Sequence, residues 1–325
     1  MKKTIDGLTF GCFILVCVTL IGCAGSSDRS EANDGSTFGE AISAIDEAPK
    51  RPDVAPEPPA ADLRNDGKNL AFLHWNVQGD DSDPQYVAQD IARDLGKFHV
   101  YALSSVHKPD VFESVLKTKW PNTYDQIVSQ GGRIPGGFNR HLLIVYDYVR
   151  LYRINKIELE EVDGIRLAKD DFPAPIVAHL RDKTDDQEFF LILAHLHPDD
   201  ADFRVQQVTA LRKWVESKKE PVIVLGTLNV EYNFESKQGN SAWNTFQADG
   251  LYRMLTPKVP VETEWRDADG DSQNDLAGIA SDMIFVAGRA RAWPYTMRIL
   301  TRSRDFPDNE RTSNHRPVEL FFKTK

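Results

Sequence analysis

Between residues 69 and 325 the chain is a succession of short apolar runs, each bounded by polar or turn-forming residues. LAFLHWNV (70–77), VYALSSV (100–106), HLLIVY (141–146), IVAHL (176–180), FFLILAHL (189–196), VIVL (222–225), MIFV (283–286) and VELFF (318–322) are rich in Val, Ile, Leu and Phe. Runs of this length and near-continuous hydrophobicity read as strands buried on both faces. Helical signals lie between them. Asp83-Pro84 reads as an N-cap and a first-turn proline, followed by Val87, Ile91 and Leu95 on one apolar face. Residues 109–120 read as helical, and Asp202 reads as the cap of a helix whose apolar side is Val205, Val208, Leu211 and Val215. Many strands and few helices, with no internal repeat, predict an α+β fold: two β-sheets packed face to face with helices outside.

The cysteines restrict what can hold such a fold together. There are three, Cys12, Cys17 and Cys23. Residues 69–325 therefore contain no thiol, and a domain there must rest on its core rather than on disulfides.

The N-terminus has the order of a secretory signal: Lys2 and Lys3, an apolar run from Leu8 to Ile21, then Gly22 and Cys23. The run is 14 residues long, short of the roughly 20 that span a bilayer. Leu20-Ile21-Gly22-Cys23 resembles the lipobox of bacterial lipoproteins. That resemblance implies cleavage of residues 1–22, lipidation of Cys23, and a protein of the cell envelope that is exported and held to a membrane by its anchor. Residues 24–68 are rich in Ser, Asp, Glu, Ala and Pro and poor in large apolar residues, a composition that cannot offset chain entropy by burial. With Cys23 they read as a disordered tether of residues 23–68, spanning roughly 35–40 Å as a coil.

The formal net charge is −10, and loss of Lys2, Lys3 and Asp6 with the signal makes it one unit more negative. Duplex DNA binders carry a basic footprint, so bulk DNA is not an expected partner. The arginines at 289, 291, 298, 302, 304, 311 and 316 read as a solvated surface.

The polar residues that end the apolar runs come in a particular order: His74-Trp75-Asn76, Ser104-Ser105, Ala194-His195-Leu196, Gly226-Thr227-Leu228-Asn229, Ser281-Asp282-Met283-Ile284 and Ser313-Asn314-His315-Arg316-Pro317. Arg204, Gln207 and Leu211 add an R-x-x-Q-x-x-x-L pattern. In order and spacing, residues 69–325 resemble the endonuclease/exonuclease/phosphatase superfamily of DNase I-like proteins. The resemblance implies a four-layer αββα sandwich. It implies hydrolysis of a phosphate ester assisted by Mg²⁺ on oxygen ligands, a carboxylate that orients water, and histidines that assist charge or proton transfer.

Asn76, His195, Asn229, Asp282 and His315 match the family pattern, with Asn76 on the metal and the other four in the catalytic set. Three carboxylates are replaced. Ser105 stands where the family has Glu, Thr227 where it has the Asp of G-D-x-N, and Asn314 where it has the Asp of S-D-H. Hydroxyls and amides bring no charge to a metal that usually rests on one or two carboxylates. The sequence therefore predicts a degraded or altered site. Its ordinary phosphodiesterase activity is expected to be weak or lost, unless loop acids such as Asp80, Asp81, Asp199, Asp200 or Glu231 replace the missing ligands. The alternative is a pseudoenzyme, a binding or scaffold domain of the cell envelope. A phosphorylated small molecule or phosphodiester is the expected ligand class, and a monomer the expected state. Asp267, Asp269 and Asp271 alternate as in a Ca²⁺ loop, although Gly270 and Gly278 break the EF-hand spacing.

Overall fold

A computed structural model describes residues 67–324, except 78–81, 134–138, 170–171 and 304. The signal segment, Cys23, nearly all of the tether, and Asp80 and Asp81 lie outside the described residues. In chain order the domain opens with β1 (Asn69–Asn76), α1 (Pro84–Asp90), β2 (Val100–Val106), α2 (Pro109–Lys119), β3 (Tyr124–Val128), β4 (Gly132–Arg133) and β5 (Asn139–Asp147). Next come β6 (Leu151–Glu158), β7 (Glu161–Val162), β8 (Ile165–Arg166), β9 (Ile176–Asp182), β10 (Gln187–His195), α3 (Ala201–Glu216) and β11 (Val222–Asn233). It closes with α4 (Ser241–Gln247), β12 (Tyr252–Met254), β13 (Ile279–Ala287), β14 (Tyr295–Ile299) and β15 (Val318–Lys323).

The strands form two mixed sheets. One has the order β14-β15-β1-β2-β5-β3, with β4 added on β5; the other has the order β12-β13-β11-β10-β9-β6. Each holds a central parallel pair, β1 with β2 in the first and β10 with β11 in the second. Side-chain alternation sorts each strand between two hydrophobic layers. Leu70 and Phe72 face inward to meet Leu191, Leu193, Ile223 and Leu225 of the opposite sheet. Ala71, Leu73 and Trp75 face outward, onto Val87, Ile91, Phe112 and Leu116 from α1, its continuation and α2. On the other side Ile192, Val224 and Phe285 pack on Val208, Leu211, Val215 and Phe246 of α3 and α4. The result is the αββα sandwich expected from the sequence. Among the described residues no helix is long and apolar enough to cross a membrane.

Local chemistry accounts for the element boundaries. Asp83 caps α1 as expected, accepting from the backbone N–H groups of Gln85 and Tyr86. After Asp90 the helix loosens into a π-helical turn, Ile91–Leu95, which still buries Ile91 and Leu95. The expected cap of the third helix shifts by two residues. Asp200, not Asp202, accepts from Phe203 N at 2.9 Å, because an N-cap must stand one residue outside the first helical turn.

Candidate functional site

The carboxyl ends of the central strands meet at one edge of the sandwich. His74 and Asn76 lie opposite Ala102 and Ser104 in the first sheet, and His195 and Asp282 both flank Thr227 in the second. Three contacts tie the sheets together here, each at 3.1 Å: Ser104 Oγ with Thr227 Oγ1, Ser105 Oγ with His195 Nδ1, and His74 Nε2 with Asp282 Oδ1. The backbone is strained at the same edge. Ser105, Asn229 and Glu231 have φ of 55°, 51° and 48°, where the pairing of β2 with β5 and of β11 with β13 slips register. Left-handed conformation in a non-glycine residue costs about 1–3 kcal/mol, and such strain concentrates at functional sites. Gly226 is required for a different reason. At φ 146° a β-carbon on it would fall 1.8 Å from the carbonyl oxygen of Ala194, its neighbour across the parallel pair.

Asp282 is the hub. His315 donates from Nδ1 to Oδ2 at 2.6 Å, and Thr227 donates its hydroxyl to Oδ1 at 2.7 Å. His74 spans Oδ1 and the Ala102 carbonyl, the latter at 2.9 Å from Nδ1. The Asn76 amide lies 3.1 Å from His315 Nε2. The Ser313–His315 turn is locked to β1. Trp75 Nε1 donates to the His315 carbonyl at 2.8 Å, and Ser313 Oγ donates to the Asn76 carbonyl at 2.5 Å. A second pair sits beside this network, with Ser105 Oγ and His195 Nδ1 hydrogen-bonded at 3.1 Å. Behind it, the buried Arg204 and Gln207 of α3 clamp the loop that follows His195. Arg204 donates to the His197 and Pro198 carbonyls at 2.6 Å each, and Gln207 accepts from His197 N at 2.9 Å. That is the physical content of the R-x-x-Q-x-x-x-L pattern. Asn229 donates to the Leu196 carbonyl at 2.7 Å, on the same loop. Asn314 turns to the segment at Trp265 and donates to its carbonyl at 3.0 Å.

Electrostatics follow from this closure. Burial favours a neutral carboxyl at Asp282, but His315 and His74 outweigh it and hold the group far below the usual carboxylate range. Burial likewise opposes charge on His315, and the Asp282 carboxylate more than offsets it, so His315 lies above the ordinary histidine value. Among the described residues no carboxylate hydrogen-bonds His195, and burial, with His315 and Arg140 adding to it, pushes it down to about 3. His99 is pushed down to about 4 by burial and then by Arg150, and its Nδ1 accepts from Ala71 N at 2.9 Å.

A depressed histidine contributes stability that is present above the ordinary value of 6.5 and lost as the pH falls toward the folded value. Relative to His99→Gln, which retains an acceptor, the wild-type protein should therefore lose about 1.4 kcal/mol per pH unit on acidification from about 6.5 to 4. Chemical denaturation of the two proteins across that range checks this, and parallel curves would refute it.

The donor set does not fit a divalent ion of the kind the family resemblance implies. Both oxygens of Asp282 are engaged by three donors. Glu264, which bridges to His315 through the backbone, accepts from Ser281 Oγ and Arg266 Nη2 at 2.9 Å each. Ser105, Thr227, Asn76, Asn229 and Asn314 are neutral. Of the candidate replacements, Asp80 and Asp81 lie outside the described residues; Asp200 caps α3 and pairs with Lys169 at 2.6 Å, Asp199 is exposed, and Glu231 Oε2 accepts from Asn240 Nδ2 at 3.5 Å. In the acidic loop, the carboxylates of Asp267, Asp269 and Asp275 converge within 4.8 Å. Asp271 is outside that group and accepts from Gln273 N at 2.8 Å, so Asp275 takes the place the sequence spacing assigns to Asp271.

Three participants are absent from the sequence expectation. His74 opens the strand-end motif His74-Trp75-Asn76 but carries no site role in the sequence, and only sheet packing sets it against Asp282. Arg140 lies over the Phe172 ring at 5.9 Å, and Phe172 in turn packs edge-on against His195 at 5.0 Å. No local spacing signals these meetings, because the residues come from β5, the loop before β9, and β10. The strand-end residues are themselves nearly closed to solvent; Asn76, His195 and His315 are 4–6% exposed. Cavities among the described residues lie outside them. One of about 820 Å³ lies between α1 and α2, on the outer face of the first sheet. Another, of about 460 Å³, is lined in part by Phe172, beside His195.

No protein-family model matches the sequence, and no curated protein matches it. Solved structures do match in fold. An endonuclease/exonuclease/phosphatase family protein from Leptotrichia buccalis superposes with a TM-score of 0.59 at 12% identity, covering 78% of this chain and 99% of that one. The mannosyl-6-phosphatase of Bacteroides thetaiotaomicron gives 0.56 at 17% identity, covering 78% and 99%. The human Nocturnin catalytic domain with bound sulfate gives 0.57 at 15% identity, covering 79% and 93%. Residues 69–325 have the fold of this family.

Proposed function

We propose that this protein is a lipid-anchored member of the endonuclease/exonuclease/phosphatase family that has given up metal-dependent hydrolysis and binds a phosphate-bearing ligand at the strand-end site. The observation that carries the reading is the state of Asp282. Its two oxygens already accept from His315, His74 and Thr227, and the positions where the family has its other carboxylates hold Ser105, Thr227 and Asn314, which bring no charge to a metal. Support for anion recognition comes from the retained Asn76, His195 and His315, with Arg140 beside them. The Asn76 amide, the neutral His195 ring and the cationic His315 and Arg140 are groups that recognise phosphate without a metal. Support for the anchor comes from the lipobox-like Leu20–Cys23 and the tether-like composition after it, the pattern of an exported, lipid-anchored protein of the cell envelope.

The test has two parts. Removing a single preorganised group from such a site commonly costs about 10²–10³ in rate. With three carboxylates replaced, Mg²⁺- or Mn²⁺-dependent cleavage of bis(p-nitrophenyl) phosphate should be at background. Inorganic phosphate should bind in calorimetry and lose affinity in Arg140→Ala. Metal-dependent turnover abolished by His315→Ala would overturn the reading.

A further inference from the structure

The cavity beyond Phe172 adjoins the strand-end site through shared residues. Phe172 forms part of its wall and also touches the His195 and His197 rings, at 5.0 and 4.9 Å. Gly132, which lines the cavity, pairs with Arg140 across β4 and β5. A ligand whose phosphate lies at Arg140 and His195 would therefore have its remaining atoms close to this cavity. At about 460 Å³ it falls in the size range of small-ligand sites.

Its lining is divided chemically. Phe172, Pro173 and the half-buried Phe203 give it an apolar side. Gln130, Glu158, Glu160 and Arg166 give it a polar one. Glu160 and Arg166 are exposed at the rim, while Glu158 is partly buried and accepts from Gln130 N at 2.9 Å. An entirely apolar guest would leave this polar side without hydrogen-bond partners and would desolvate the partly buried Glu158. A ring with a C–H face and a hydroxyl edge satisfies both sides. Its hydroxyls donate to carboxylates and accept from arginine, and its C–H face lies on the aromatic wall.

We infer that this cavity holds the polyhydroxylated ring of a phosphorylated sugar, an inference that rests on the phosphate-binding reading of the strand-end site. Calorimetry on the purified full-length protein tests it with inorganic phosphate, glucose, glucose 6-phosphate and adenosine 5′-monophosphate. Glucose 6-phosphate should bind at least tenfold tighter than inorganic phosphate and tighter than the nucleotide. The rim variants Glu160→Ala and Arg166→Ala, with Glu160→Gln as the milder change, should bring glucose 6-phosphate down to the level of inorganic phosphate.

Equal affinity for phosphate and glucose 6-phosphate overturns the cavity inference while leaving the phosphate site standing. Preference for the nucleotide overturns it in favour of a planar base. Binding of glucose 6-phosphate that depends on Glu160 but not on Arg140, with no binding of phosphate, upholds the cavity and overturns the phosphate site. No binding of any of the four overturns both.

Discussion

Asp282→Ala should be the most damaging single substitution at the strand-end site. It removes the common acceptor of His315, His74 and Thr227 in a region where Asp282 and His74 are each 1% exposed. Breaking a buried charge pair by deleting one partner costs about 3–5 kcal/mol, mostly because the remaining groups stay buried and unpaired. For a domain of this size that corresponds to a drop in Tm of roughly 10 °C. Asp282→Asn keeps the volume and one acceptor oxygen, so it should fall between the two. Differential scanning calorimetry at neutral pH reads the effect. A variant melting within a degree or two of wild type would mean that the Asp282 network contributes nothing to holding the sheets together.

The triple variant Ser105→Glu, Thr227→Asp and Asn314→Asp should acquire a metal-dependent stability that the wild-type protein lacks. Thr227→Asp sets a second carboxylate where Thr227 Oγ1 now stands 2.7 Å from Asp282 Oδ1, so repulsion should destabilise the variant when no metal is added. A divalent ion that binds only the folded state then contributes about 2.7 kcal/mol at a hundredfold excess over Kd. A rise in Tm of several degrees with Mg²⁺ or Mn²⁺, absent from wild type, is the expected result. No metal response in a variant that folds would show that the strand-end geometry itself, and not the lost charge alone, excludes the ion.

The two experiments address different features of one arrangement. The first asks how far the residual polar network stabilises the sandwich. The second asks whether restoring three carboxylates is sufficient to create a metal site. In the wild-type protein Thr227 serves the network as a donor to Asp282, a role that Asp cannot fill unless protonated. Replacing the family's Asp by Thr at this position thus removes a carboxylate and supplies Asp282 with a donor at a single residue.

What the sequence alone determined was the part of the fold written in local patterns. The buried strands β1, β2, β10, β11 and β13 were legible because a strand covered on both faces is a nearly continuous apolar run. The cap at Asp83 and the order of polar residues at the strand ends were legible for the same reason, since each depends on neighbours within a few positions. The edge strand β6, LYRINKIE, was not legible, because it is mostly exposed and carries no apolar run. Nor was the full reach of β11, whose register slips after Thr227.

Only the tertiary structure decided what the retained residues do. Glu264 and Asp282 are both acids in the sequence; packing commits one to Arg266 and Ser281 and the other to His315, His74 and Thr227. His74 and Asp282 are 208 residues apart, and Arg140, Phe172 and His195 come from three separate segments. Whether a carboxylate is available to a metal depends on which donors surround it, and those donors are set by the pairing of distant strands and the packing of two sheets, about which local periodicity carries no information.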